Sequence, residues 1–113
     1  MQQTIFRKPL LDAPLDSVKF TSRVEVKEIN FEPGQETGKH KHPCPVVGYI
    51  AEGAVLFQVE GEDPKTLKRG EAFFEPPGKT VVHFDNASSS EPVKFIAFYL
   101  LGEHDSELIH MLA

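Results

Sequence analysis

The chain has 113 residues, which is the length of one ordinary domain with a single hydrophobic core. Its content of 40% hydrophobic and 26% charged residues is typical of globular proteins. The formal net charge of −5 argues against a nucleic-acid partner, and no apolar run approaches the roughly 20 residues of a membrane-spanning helix. Cys44 is the only cysteine, which excludes an intrachain disulfide, and no apolar leader segment follows Met1, so we expect a cytoplasmic location.

The predicted elements are short strands separated by glycine and proline turns. Residues 1–23 form an irregular arm with short apolar groups, and the alternation over residues 24–31 predicts a half-buried strand with a bulge near Glu28. Further strands are predicted at residues 46–51, 54–60, 65–68, 72–75, 80–84 and 93–101, and one or two helical turns within 103–112. About seven or eight short strands separated by turns are typical of an all-β sandwich or barrel, so we predict one β-rich domain.

Two histidines stand out in the glycine- and proline-rich segment 34–53. In an extended strand, residues i and i+2 point to the same face, so His40 and His42 would direct both imidazoles into one space. Such convergence suits a metal ion, because a zinc site places imidazole nitrogens at about 2.0–2.1 Å from the metal. A lone His-x-His pair is also common on solvated loops, so the pair by itself does not establish a site.

A second punctuated segment, residues 70–86, follows the histidine segment after a short interval. The two segments together resemble the two motifs of the cupin superfamily, and the matching residues are Gly34, His40, His42 and Gly53 in the first motif and Gly70, Pro76 and Gly78 in the second. The resemblance implies an all-β, single-domain cupin jelly-roll barrel made of two packed antiparallel sheets. In that arrangement residues 1–23 are an N-terminal arm, residues 24–101 the barrel, and residues 102–113 a C-terminal tail packed on the barrel.

The chain departs from the cupin pattern at two ligand positions. The expected glutamate is replaced by Val46, and the expected histidine of the second motif is replaced by Val81, with His83 two residues later. Position 83 has the same strand parity as position 81 but lies about 6.6 Å further along a regular strand. A bulge at residues 79–80 would bring His83 to the shared centre. With a regular strand, no tight three-ligand site would form.

The resemblance implies one divalent metal bound by His40, His42 and His83, and imidazole ligands suit Fe, Mn, Ni, Cu or Zn. Cys44 is a possible additional ligand, because a soft thiolate could replace the missing carboxylate. The other interpretation of Cys44 is a small apolar residue at the barrel mouth. Glu75 precedes two prolines, which favours a position at the rim. The residues expected to line the pocket are Tyr49, Phe57, Phe74 and Val81.

The functional expectation follows from the resemblance, because cupins of this build include dioxygenases, isomerases and decarboxylases of small carbonyl or enol compounds. We therefore expect a metal-binding cupin that acts on a small organic substrate. The alternative is a non-catalytic cupin that binds or senses a small molecule, and both the missing carboxylate and the displaced third histidine favour it. The sequence names no catalytic residue and does not decide whether the protein is an enzyme. An unpaired strand edge and the apolar arm predict a homodimer.

Overall fold

Nine antiparallel strands form the regular structure of residues 4–15 and 20–113, the part of the chain that the computed structural model describes. In chain order they are β1 (Arg23–Phe31), β2 (His40–Lys41), β3 (Val46–Glu52), β4 (Ala54–Val59), β5 (Lys65–Lys68), β6 (Ala72–Glu75), β7 (Val81–Asn86), β8 (Val93–Leu101) and β9 (His110–Met111). They form two sheets, with the orders β1-β8-β3-β6 and β5-β4-β7-β2-β9. The predicted all-β jelly-roll class, with two packed antiparallel sheets, is confirmed.

The C-terminal end of the chain differs from the predicted elements. Residues 103–112 contain no helical turn, because residues 110 and 111 pair instead with β2 as strand β9. The backbone N–H of Leu112 donates to the carbonyl of Lys39 at 2.9 Å and extends this contact. Of the predicted arm, residues 1–3 and 16–19 lie outside the described residues. Within the described ranges, no helix is long and apolar enough to cross a membrane.

Strand β1 is an edge strand, and the predicted bulge near Glu28 is wrong. All nine residues of β1 pair with β8 in one continuous register, from Arg23 opposite Leu101 to Phe31 opposite Val93. The apparent change of parity has a different origin. Val24 and Val26 are exposed apolar residues on the outer face of the strand, whereas Ile29 and Phe31 pack against the core from its inner face. An apolar residue on an edge strand therefore does not report which face is buried.

Five phenylalanines form the centre of the core between the sheets. Phe57 and Phe84 come from one sheet and Phe73 and Phe95 from the other, and Phe31 completes the cluster. Their neighbouring ring centroids lie 4.7–6.4 Å apart, mostly in edge-to-face orientations. Aromatic pairs of this geometry stabilise a core by about 0.5–1.5 kcal/mol each beyond the area that they bury. The cluster fixes the spacing of the two sheets beneath the candidate site.

Strand β7 contains a bulge that determines which of its side chains face inward. Gln58 of β4 pairs with His83, but the next residue, Val59, pairs with Val81, so Val82 is an extra residue in β7. The inserted residue reverses the parity of the strand at that point. As a result Val81 and Phe84 are both buried in the core, although they are an odd number of residues apart.

Replacing Gly48 by alanine tests the close packing of the four-stranded sheet. Gly48 lies in β3 between Phe73 and Ala97. A Cβ at this position would overlap the carbonyl oxygen of Ile96 and lie 2.6 Å from Phe73 Cζ. Because backbone must move to make room, we expect Gly48→Ala to lower the free energy of unfolding by about 3 kcal/mol or more in urea denaturation.

The matched control for this substitution is Gly61→Ala. Gly61 has a φ of +87°, but no atom lies within 4 Å of its Cβ position, so the alanine meets backbone strain without steric overlap. We expect this variant to lose only about 1–2 kcal/mol. Equal losses in the two variants would show that the contact at Gly48 does not limit the packing.

Candidate metal centre

The candidate metal centre lies between the two sheets. His40 begins β2 and His42 follows that strand directly, whereas Glu75 is the last residue of β6 in the opposite sheet. The carbonyl of His42 accepts a hydrogen bond from the backbone N–H of Gly78 at 2.9 Å, which ties the histidine segment to the turn after β6. All three side chains are buried, with 2%, 4% and 4% of their residue surface exposed. Water therefore cannot solvate the charge of the carboxylate.

The ligand atoms of the three residues converge on one point. One ligand atom from each of His40, His42 and Glu75 lies within 4.8 Å of the other two. His42 Nε2 is 2.8 Å from Glu75 Oε2, and His40 Nε2 is 3.6 Å from Glu75 Oε1. Each imidazole therefore faces its own oxygen of the same carboxylate. No other group of three or more such residues was found in residues 4–15 and 20–113.

Backbone carbonyls set the tautomer of both histidines. His40 Nδ1 donates to the carbonyl of Gly38 at 2.8 Å, and His42 Nδ1 donates to the carbonyl of Leu108 at 2.5 Å. The proton of a neutral imidazole is then on Nδ1, which leaves a lone pair on each Nε2. A carbonyl that holds Nδ1–H in this way is the usual partner of a metal-binding histidine.

His42 Nε2 is the key atom of the site. It is a buried polar atom without a hydrogen-bond partner among the described residues, although a carboxylate oxygen lies 2.8 Å away. At that distance the lone pairs of the nitrogen and the oxygen repel each other unless a positive charge lies between or beside them. A second imidazole proton or a metal cation supplies that charge. The two nitrogens and the carboxylate are donors that divalent transition metals accept, so the residues present fit such an ion.

Without a metal, the cluster shares protons, and this shifts two pKa values. Burial by itself lowers the pKa of His40, but its contact with the Glu75 carboxylate, its hydrogen bond to the Gly38 carbonyl and the negative charges of Glu75 and Asp85 outweigh burial, so the pKa is raised. Burial by itself raises the pKa of Glu75, but the close approach of the His40 and His42 imidazoles to its oxygens, and their positive charge when protonated, outweigh burial, so the pKa is lowered. The carboxylate therefore stays ionised.

A cavity of about 140 Å³ opens beside this cluster. Its polar lining consists of the three clustered residues with Thr37 and Tyr99. The apolar lining comes from both sheets and from the C-terminal segment, namely Ile29, Phe31, Phe84, Phe95, Ala97 and Ile109. The ring of Tyr99 lies 5.9 Å from that of His42, centroid to centroid. Burial, with the charge of Glu75 as a smaller cause, raises the pKa of Tyr99 to about 12, so its hydroxyl stays protonated.

His83, the third ligand predicted from the sequence, is not brought to this cluster. Its Nδ1 lies 2.8 Å from Asp85 Oδ2, and its side chain is 43% exposed. The predicted bulge exists, but it lies at Val82 and not at residues 79–80, so it turns position 83 away from the inward parity of Val81. His83 is therefore kept from the cluster by the face of the sheet on which its side chain lies, and not by its distance along the strand.

The other sequence-predicted residues also lie elsewhere. Cys44 is fully buried in the hydrophobic core and is not among the converging ligand residues. None of the four predicted lining residues lines the cavity. Phe57 and Val81 are core residues, whereas Tyr49 is 39% exposed and Phe74 is half-buried, because both occupy outward positions of their strands.

Glu75 is the functional residue that the sequence interpretation missed, and the expected position at the rim is wrong. In the sheet, Glu75 is the direct cross-strand partner of Val46, the position where the carboxylate was expected. Side chains of such a pair lie about 5 Å apart, so the neighbouring strand supplies the carboxylate that β3 lacks. One signal was available: Glu75 follows Phe73 by two residues, so the two share the inward face of β6.

The fold and the site together define a class of protein, a two-sheet β-barrel with a buried His–His–carboxylate cluster between its sheets. A family model described as "Cupin domain" matches residues 27–99, more than half of the chain. The protein belongs to the cupin family. A comparison with curated proteins gave no significant match.

Several solved structures have a similar fold. A DMSP lyase from Ruegeria pomeroyi is 20% identical, with a TM-score of 0.66 over 78% of this chain and 42% of its own. A cupin-like protein from Thermotoga maritima is 27% identical, with a TM-score of 0.64 over 79% of this chain and 64% of its own. An oxalate decarboxylase variant from Bacillus subtilis is 15% identical, with a TM-score of 0.66 over 79% of this chain and 24% of its own. The chain thus spans less than half the length of the two enzymes.

The stability of the metal-free protein should depend on pH through the Glu75 cluster. The lowered pKa of Glu75 gives stability that is present above its ordinary value of 4.5 and is lost as pH falls through the lowered value. The raised pKa of His40 gives stability that is present below 6.5 and is lost as pH rises through the raised value. We therefore expect metal-free wild type to be more stable than Glu75→Gln chiefly between about pH 4.5 and 6.5.

Urea denaturation of chelator-treated protein from pH 3 to 9 measures this difference. Glu62→Gln, which removes an exposed carboxylate, serves as the control and should follow the wild type at every pH. A constant difference between wild type and Glu75→Gln across the range would show that the buried cluster does not share protons.

Proposed function

We propose that this cupin binds one divalent transition metal through His40, His42 and Glu75 and acts on a small organic compound of the carbonyl or enol type. The proposal depends above all on His42 Nε2, a buried nitrogen with a free lone pair held 2.8 Å from a carboxylate oxygen. Fe, Mn, Ni, Cu and Zn all accept two imidazole nitrogens and one carboxylate oxygen, so the donor set does not select one of them.

Three protein ligands leave coordination positions open, and a metal held there supplies a Lewis acid that polarises a carbonyl or enol oxygen. The protein contributes the surroundings. Carbonyls of Gly38 and Leu108 hold the two imidazoles in place, and aromatic side chains line much of the adjoining cavity. Dioxygenation, isomerisation and decarboxylation are the reaction classes that we propose for such a site.

The alternative, a non-catalytic binding or sensing cupin, depended on the missing carboxylate at Val46 and on the displaced third histidine. Glu75 provides a carboxylate beside Val46, which answers the first argument. The position of His83 away from the cluster still favours the second. The two hypotheses make different predictions for one measurement, because an enzyme must turn over its ligand whereas a sensor only binds it.

Single substitutions at the ligands test the metal site. We expect His40→Ala, His42→Ala and Glu75→Gln each to weaken metal affinity by roughly 100-fold or more, because each removes one of three donors, whereas lesser changes around a metal already cost about 10–100-fold. Zinc or cobalt titration monitored by calorimetry measures the affinity, and elemental analysis of the purified protein measures the occupancy.

His83→Ala is the matched control, because it removes an imidazole that is bonded to Asp85 on the same strand. We expect it to bind metal as the wild type does. A loss in His83→Ala as large as that in His40→Ala would favour the three-histidine site predicted from the sequence. Wild-type affinity in Glu75→Gln would contradict the proposed carboxylate ligand.

We also propose that the protein is a homodimer. Two apolar surfaces support this. The edge strand β1 exposes 51% of Val24 and 57% of Val26, and the preceding segment exposes Phe6, Leu10 and Phe20. Long apolar edge strands readily pair with a second chain, and a twofold dimer would cover both surfaces.

Sedimentation velocity at micromolar concentration tests the assembly. We expect a dimeric mass for the wild type and a monomeric mass for the double variant Val24→Lys, Val26→Lys, because two buried lysines would oppose the contact. Glu60→Lys changes charge at an exposed turn position and should leave the dimer intact. A monomeric wild type would contradict the proposal.

A further inference from the structure

The size of the cavity limits what can bind beside the candidate metal centre. Its volume of about 140 Å³ is close to that of an engineered apolar cavity of roughly 150 Å³ that binds benzene. Six of its eleven lining residues are apolar. A ligand that fills this space has an apolar body about as large as one six-membered ring.

The charge of the lining limits the ligand further. Two neutral imidazoles and one carboxylate carry a charge of −1, so a divalent metal leaves the centre at +1. A ligand with one negative charge would neutralise this net charge of +1. A dianion would leave a net negative charge in a buried site, and no lysine or arginine among the described residues lines the cavity to compensate it. Lys41 stands between the two histidines, so strand alternation points it to the opposite face.

The remaining polar groups of the lining consist of one available donor and one residue that is already engaged. Thr37 donates its hydroxyl to the carbonyl of Phe84 and its backbone N–H to Asp85 Oδ1. The hydroxyl of Tyr99, by contrast, makes no hydrogen bond to any described residue, although the residue is only 7% exposed. The Tyr99 hydroxyl oxygen is not one of the buried polar atoms that lack a partner, so it remains accessible, and an oxygen of a ligand in the cavity can accept its proton.

From these observations we infer that the site selects a ring-sized, largely apolar ligand that chelates through two oxygens with a single negative charge, and that Tyr99 donates a hydrogen bond to one of those oxygens. Enolic and phenolic ketones belong to this class. Small dicarboxylate dianions such as oxalate do not. The inference rests on the proposed metal site and narrows its ligand.

The test compares maltol with oxalate on protein loaded with cobalt(II). Both compounds chelate through two oxygens in rings of the same size, but maltol binds as a monoanion with an apolar ring and oxalate as a small dianion. The visible spectrum of cobalt reports ligand binding, and the metal content after gel filtration reports retention of the metal. We expect maltol to bind at least about tenfold more tightly than oxalate, which corresponds to 1.4 kcal/mol.

Three variants separate the charge argument from the hydrogen-bond argument. Tyr99→Phe should weaken maltol binding by about fivefold and leave cobalt loading unchanged. Ile109→Arg places a cation at the cavity from a residue that is 40% exposed, so it should strengthen oxalate binding. Met111→Arg adds the same charge two residues away at a position that does not line the cavity, and it should not.

The outcomes distinguish this inference from the proposed function. Failure of the wild type to take up cobalt would overturn both. If cobalt binds but oxalate binds as tightly as maltol, the ligand class is wrong and the metal site stands. Unchanged maltol affinity in Tyr99→Phe would exclude the hydrogen bond from Tyr99. Equal effects of Ile109→Arg and Met111→Arg on oxalate would show that the absence of a cation in the lining does not set the selectivity.

Discussion

A buried carboxylate between two imidazoles is the constraint on which the rest of the site depends. Glu75 is removed from water, and His40 and His42 each face one of its oxygens. Because carbonyls of Gly38 and Leu108 hold the Nδ1 protons, the charge of Glu75 is tolerable only with a further imidazole proton or a cation at the Nε2 atoms. Three separate parts of the chain are thus positioned by one charge. Removing any one of them would leave a buried polar group without its partner.

This arrangement explains how the chain keeps a carboxylate at its centre despite Val46. The side chain comes from β6 instead of β3, one strand away in the same sheet and directly across the pairing. A short step across a sheet is about the same length as a shift of one and a half residues along a strand. A neighbouring strand can therefore supply a ligand without a change in the geometry of the cluster. A sequence motif with fixed spacing does not detect a ligand supplied in this way.

The fold was largely predictable from the sequence, because turn residues and alternation depend on local chemistry. The same local patterns placed His40 and His42 on a common face. They failed at His83 and at β1, for one shared reason. Parity along a strand holds only between bulges, and the insertion of Val82 into β7 is visible only in its pairing with β4. In β1 the outward-facing Val24 and Val26 gave the sequence an apparent change of parity, which the continuous pairing with β8 excludes. Glu75 was missed because proline neighbours suggested a rim, whereas pairing across the sheet decides burial.

The hydrogen bond from His42 to Leu108 has a thermodynamic consequence for the C-terminal segment. The segment docks on β2 through β9, and Ile109 reaches the cavity that Glu75 lines. A cation that binds His42 Nε2 in the docked form alone shifts the opening equilibrium of residues 102–113 toward docking, by RT ln(1 + [L]/Kd) for a free concentration [L]. Linkage is reciprocal, so the docked segment raises the affinity for the cation by the same factor. If the centre holds its cation only in the docked form, occupancy of the centre and local opening of this segment are coupled, and amide exchange in residues 108–112 would slow as the concentration of free metal rises.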